Sequence, residues 1–115
     1  MELDKSLVSG SMGLLVMKLL EERDMYGYQM IEELKKRSDD TFHLKAGSLY
    51  PLLHGLEEKG CVCAYEQDAV AGKPRRYYHL TEQGHRTLQG KEKSWNQYAR
   101  AVNQVLKGGA CCVAG

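Results

Sequence analysis

Apolar residues recur every three or four positions between Ser6 and Arg23, at Val8, Met12, Leu15, Val16, Leu19 and Leu20. That stripe predicts an amphipathic helix. A second helix is predicted over Tyr26 to Arg37, with Met30, Ile31 and Leu34 inward and Glu32, Glu33, Lys35 and Lys36 outward; Ser38-Asp39-Asp40 reads as its stop. A third carries Leu49, Leu52, Leu53 and Leu56 on one face and ends at Gly60, a residue suited to the left-handed cap. The period then changes from helical to alternating. Cys61 to Gln67 sets Cys61, Cys63 and Tyr65 on one side and Val62 and Ala64 on the other; Pro74 to Thr81 sets Arg76, Tyr78 and Leu80 against Arg75, Tyr77 and His79. Asp68 to Lys73 reads as the hairpin tip between them. Thr81 is an N-cap for a last helix from Glu82 to about Lys107.

Three helices followed by a hairpin is the order of a winged helix-turn-helix domain, so the expected fold is mainly α with a small β-hairpin plus one long C-terminal helix. On the third helix, the side opposite the leucines holds Gly47, Pro51, His54 and Glu58, flanked by Ser48, Tyr50 and Gly55. An exposed face of small or donor-bearing residues is what a helix entering a major groove needs. The hairpin carries Lys73, Arg75 and Arg76, a basic cluster that can neutralise phosphates. The last helix has its own stripe: Leu88, Trp95 and Val102 recur every seven residues, with Tyr98, Val105 and Leu106 beside them. A second copy of the chain is the simplest surface to cover it. The expected organisation is therefore a DNA-binding domain over 1–81, a dimerisation helix over 82–107 and a flexible tail over 108–115.

Composition narrows the class. The 115 residues suffice for one domain, and 43% hydrophobic with 27% charged residues is ordinary for a globular chain. A net charge of +1 means that nucleic-acid binding must come from local placement of charge. The apolar run from Leu7 to Leu20 is broken by Ser9, Ser11 and Lys18, which excludes a membrane span. Cys61 and Cys63 lie one residue apart and Cys111 and Cys112 are adjacent, so neither pair closes a useful loop; a reducing, cytoplasmic setting is expected. There is no glycine-rich phosphate loop, nucleophile elbow or paired-carboxylate arrangement, so neither an enzyme nor a bound cofactor is expected.

Several runs resemble the PadR-type transcriptional regulators. They are Gly47-Ser48-Leu49-Tyr50-Pro51-Leu52-Leu53 with Leu56-Glu57 and Gly60, then Tyr26-Gly27-Tyr28, then Gly72-Lys73-Pro74-Arg75-Arg76-Tyr77-Tyr78 and Leu80-Thr81-Glu82-Gln83-Gly84-His85. Their length matches the family's shorter members, which have a single C-terminal helix. The resemblance implies a homodimeric repressor that binds a partly palindromic DNA operator and is released by a small effector. Carried over by position, it implies that Ser48, Tyr50, Pro51 and His54 face the operator, that Lys45 approaches phosphate, and that Gly72, Lys73, Arg75 and Arg76 form the wing. Gly55 stands where many relatives have a basic residue. Tyr50 also lies where it can pack inward against the second helix.

Trp95 has two open roles: packing in a dimer interface, or stacking on a small aromatic effector between two long helices. The dimer interface is expected at Leu88, Trp95, Tyr98, Val102, Val105 and Leu106. Two alternative functions also stand. Cys61-Val62-Cys63 places both sulfurs on one strand face and admits a thiol- or metal-responsive trigger, although two ligands at that spacing do not make a metal site. The same fold can also serve as a winged-helix protein-interaction module.

Overall fold

The computed structural model describes residues 5–68 and 72–108. The elements run α1 (Lys5–Glu22), β1 (Met25–Tyr26), α2 (Gly27–Arg37), α3 (Ala46–Glu58), β2 (Val62–Asp68), β3 (Pro74–Leu80) and α4 (Glu82–Leu106). The expectations for positions 69–71 of the hairpin tip, for 109–115 with Cys111 and Cys112, and for the inward side chain of Val8 fall outside the described residues. Among the described residues no helix is long and apolar enough to cross a membrane.

The first three helices bury apolar residues that their sequences place inward. Val16, Leu19 and Leu20 of α1, Met30 and Leu34 of α2, and Leu49, Leu53 and Leu56 of α3 converge on one core, closed by Met25, Val62, Tyr78 and Leu80 from the sheet. Met17 joins them and is fully buried. Leu52 is only half buried, because it lies at the edge of a groove described below. Gly60 has φ +75° and follows the last turn of α3, as its cap role requires.

The hairpin is one pair short of the whole sheet. Met25 and Tyr26, the second of which was expected to open the second helix, form a short strand antiparallel to β3, giving the order β1-β3-β2. Met25 lies opposite Tyr78 and Tyr26 opposite Tyr77. The reason is burial: Met25 is fully enclosed, and pairing with β3 satisfies its backbone while α2 begins one residue later.

Cys61 also departs from its expected place. The chain turns at Gly60 and the strand begins at Val62, so Cys61 precedes the alternation and is buried while Cys63 points to solvent. The two sulfurs do not share a face. At the other end of the hairpin, Thr81 caps α4 by accepting from the Gly84 N–H at 3.0 Å. Its own N–H donates to the Cys61 carbonyl (3.0 Å) and its hydroxyl to the Gly60 carbonyl (2.6 Å). One threonine thus ties the end of α3, the start of β2 and the start of α4 together.

Candidate nucleic-acid interface

The side of α3 away from the core is open. Gly47, Ser48, Pro51, His54 and Glu58 are all exposed, as is Lys45 at the helix N-cap. Pro51 lies in the second turn, so it has no N–H to give the Gly47 carbonyl four residues earlier. Gly47, Ser48 and Pro51 are small, so at the start of this face the backbone can approach a partner closely.

Tyr50 stands between the two roles open to it. It is 40% exposed, yet its hydroxyl end rests against Gly27, where a Cβ would fall on the Tyr50 oxygen. The glycine of Tyr26-Gly27-Tyr28 is therefore the seat of the tyrosine of Gly47-Ser48-Leu49-Tyr50, and two motifs far apart in sequence form one contact between α2 and α3. Alanine at position 27 should force the ring out and cost about 1–3 kcal/mol. A thermal melt checks this: the melting temperature of Gly27→Ala should fall, and removing the ring as well with Tyr50→Ala should make the glycine change nearly harmless. An unchanged melt for Gly27→Ala would refute the contact.

The basic cluster of the wing divides in two. Arg75 and Arg76 are neighbours on a strand, so their side chains leave on opposite faces. Arg75 goes to the outer face, with its guanidinium 4.5 Å from the Tyr26 ring centroid and donating to the Tyr26 hydroxyl at 2.8 Å. Arg76 goes to the inner face, donating through Nε to the Tyr78 hydroxyl (3.3 Å) and through Nη2 to Glu57 Oε2 of α3 (3.3 Å). Gly72, at φ +78°, and Lys73 are exposed beside the tip. In the free protein the expected trio of basic wing residues is thus one exposed lysine and two arginines held by the protein itself.

The outer face of the sheet is aromatic. Tyr65 stacks on Tyr77 with centroids 5.7 Å apart, and Tyr77 meets Tyr26 edge-on at 5.4 Å. Asp24, just before β1, accepts from the Tyr65 hydroxyl at 2.6 Å and lies 2.8 Å from His79 Nδ1. Burial pushes its carboxyl up, but these two hydrogen bonds outweigh burial and hold it below its ordinary value. The same bond to Asp24 pushes the Tyr65 phenol up to about 12. One carboxylate thereby pins both strands of the wing to the corner between α1 and β1.

The family model for the "Transcriptional regulator PadR-like family" matches residues 16–90. The chain belongs to the PadR-like family of transcriptional regulators. It is similar to a transcriptional regulator of Mycobacterium tuberculosis, 31% identical over 81 residues that cover 70% of this chain and 72% of that one. Among solved structures it resembles a PadR family transcriptional regulator of Eggerthella lenta, at 31% identity and TM-score 0.77, covering 88% of this chain and 86% of the other. It also resembles a transcriptional regulator of Clostridium thermocellum, at 25% identity and TM-score 0.80, covering 86% and 96%.

The α4 stripe of this PadR-like chain has two fates along its length. Leu88, expected at the surface shared with a second copy, is 0% exposed and belongs to the chain's own core, so it has nothing left to offer a partner. Farther along, Trp95 (44%), Tyr98 (65%), Val105 (77%) and Leu106 (75%) are exposed, and Val102 is half buried. The molecule measures 67 Å along its longest axis and 21 Å along its shortest, as a helix extending beyond a small domain must. Trp95 and Tyr98 also border a cavity of about 570 Å³ between α1, α3 and α4, with Gly13, Leu52, Leu56 and Cys61 among its other walls.

Cys61 and Cys63 do not come together, and among the described residues no three His, Cys, Asp or Glu side chains converge to hold a metal ion. Three residues at the interface have roles that the sequence does not show, although Gly27 and Glu57 stand within the family-like runs. Gly27 had a signal in the Tyr-Gly-Tyr motif. Glu57 stands in the Leu56-Glu57 run, where nothing marks Arg76 as its partner, and Asp24 merely ends a charged run.

Proposed function

We propose that this regulator acts as a homodimeric repressor that binds a partly palindromic operator. The α3 face (Ser48, Tyr50, Pro51, His54) would lie in the major groove, with Lys45, Gly72, Lys73, Arg75 and Arg76 at the phosphates. In this reading residues 1–81 bind DNA, 82–107 dimerise, and a small aromatic effector beside Trp95 releases the repressor. The observation that carries it is the exposed, small-residue face of α3 next to a wing bearing Lys73, in a chain of a transcriptional-regulator family. The apolar stripe from Trp95 to Leu106 supports the dimer, and the cavity walled by Trp95 and Tyr98 supports the effector site.

A gel shift with a duplex from the gene's own upstream region tests the reading. Affinity should fall steeply with salt, because each neutralised phosphate contributes a slope of about −0.9 in log K against log salt. Changing Lys73 to Gln should weaken binding to all sequences alike and make the slope shallower by about one per protomer. Binding that ignores salt, or none to any duplex at low salt, would overturn the proposal.

A further inference from the structure

The Arg76–Glu57 pair joins the wing to α3 at the position where both would meet DNA. The Arg76 guanidinium is 5.7 Å from the ring centroid of Tyr78, a fully buried residue whose hydroxyl is a fixed anchor for Nε. Both bonds are 3.3 Å long, and what separates them is burial: Tyr78 is enclosed, whereas the Arg76 and Glu57 side chains are 49% and 29% exposed, so Glu57 is the partner that solvent or another anion can reach. A guanidinium has five N–H donors in a planar fork, and these two bonds engage only part of it. Glu66 lies directly across the strands from Arg76 and adds a second acid near it. Arg76 is therefore anchored on one edge by a neutral hydroxyl and met on another by an exchangeable anion.

We infer that Glu57 is a resident substitute for a DNA phosphate at Arg76. This rests on the DNA-binding reading above and deepens it. In the free protein Glu57 holds the guanidinium between the wing and the recognition helix, preset in direction by Tyr78. On binding, a phosphate oxygen takes the place of the carboxylate, and Arg76 shifts partner without losing its anchor. Each binding event must break one ion pair per protomer, so Glu57 keeps affinity below what the same scaffold reaches without it. Glu57 is thus a positioning residue that acts through Arg76 and not on DNA directly.

The test is a double-mutant cycle read by fluorescence anisotropy on a labelled mixed-sequence DNA duplex at low salt. Wild type, Glu57→Gln, Arg76→Gln and the double variant are compared, with Glu58→Gln, the exposed acid beside Glu57 on α3, as a control for simple removal of negative charge. Glu57→Gln should tighten binding by up to about fivefold per protomer, the range of an exposed ion pair. Arg76→Gln should weaken it, and in that background Glu57→Gln should have almost no further effect. A Glu57→Gln gain that persists undiminished without Arg76, or is matched by Glu58→Gln, would mean plain repulsion of DNA and overturn the exchange. Weaker binding by Glu57→Gln would make the pair a clamp and overturn it as well. Salt-sensitive binding by wild type with no gain from Glu57→Gln sinks the exchange alone. No binding by wild type to any duplex sinks the DNA-binding reading with it.

Discussion

Alanine at position 84 is expected to lower the melting temperature by about 10–20 °C, while alanine at position 90 raises it. Both glycines lie in α4, and helix propensity alone favours alanine by about 1 kcal/mol in a helix interior. Their surroundings decide the sign. A Cβ on Gly84 would fall on the carbonyl oxygen of Cys61 and lie 2.6 Å from Leu80 Cδ1, whereas a Cβ on Gly90 meets nothing within 4 Å. The obstacle at Gly84 is backbone and cannot rotate away. The carbonyl that must move is the one receiving the Thr81 N–H, so the cap of α4 goes with it. Overpacking at such a site costs about 2–3 kcal/mol. A melt of the two single variants beside wild type checks it. Equal shifts for the two would show that the α3–β2–α4 junction is not tight.

The second large effect concerns α4 as an interface. Replacing Tyr98 and Val105 together by Lys should convert the proposed dimer into a monomer at micromolar concentration. It should also reduce affinity for a two-half-site duplex by about a hundredfold or more, the usual loss when paired sites are no longer linked. Both side chains are mostly exposed in the single chain, so the substitution leaves its core intact. Burial of a large apolar side chain is worth roughly 1.5–3 kcal/mol, and a symmetric interface counts each position twice. Sedimentation velocity gives the mass and anisotropy the affinity. A double variant that sediments like wild type would show that the stripe is not the dimer seam.

The helices could be read from the sequence because each has a stripe of its own, and the open face of α3 followed from counting round from its leucines. What could not be read depends on distant parts of the chain. Met25-Tyr26 is too short to show a period, and its strand exists only because Tyr77 and Tyr78 return to lie beside it. Leu88 sits on the same seven-residue repeat as Trp95 and Val102, and nothing in the repeat marks where α4 leaves the domain. Leu88 is on the near side of that point and Trp95 on the far side. Arg75 and Arg76 look like one basic cluster when read as neighbours, but the alternation of a strand sends them to different faces. The side-chain alternation begins at Cys61, one residue before the strand does, because the left-handed backbone of Gly60 carries the turn through Cys61.

The short β1–β3 pairing also dictates an order of assembly. Met25 is made early and Tyr78 late, with α2, α3 and the first wing strand between them. While the chain is being synthesised, the helices emerge first and can collapse, but the buried methionine has no strand to lie against until β3 arrives. The nascent helix-turn-helix must therefore wait with the Met25-Tyr26 backbone unpaired. The register between helices and wing is settled only when that last strand closes over it.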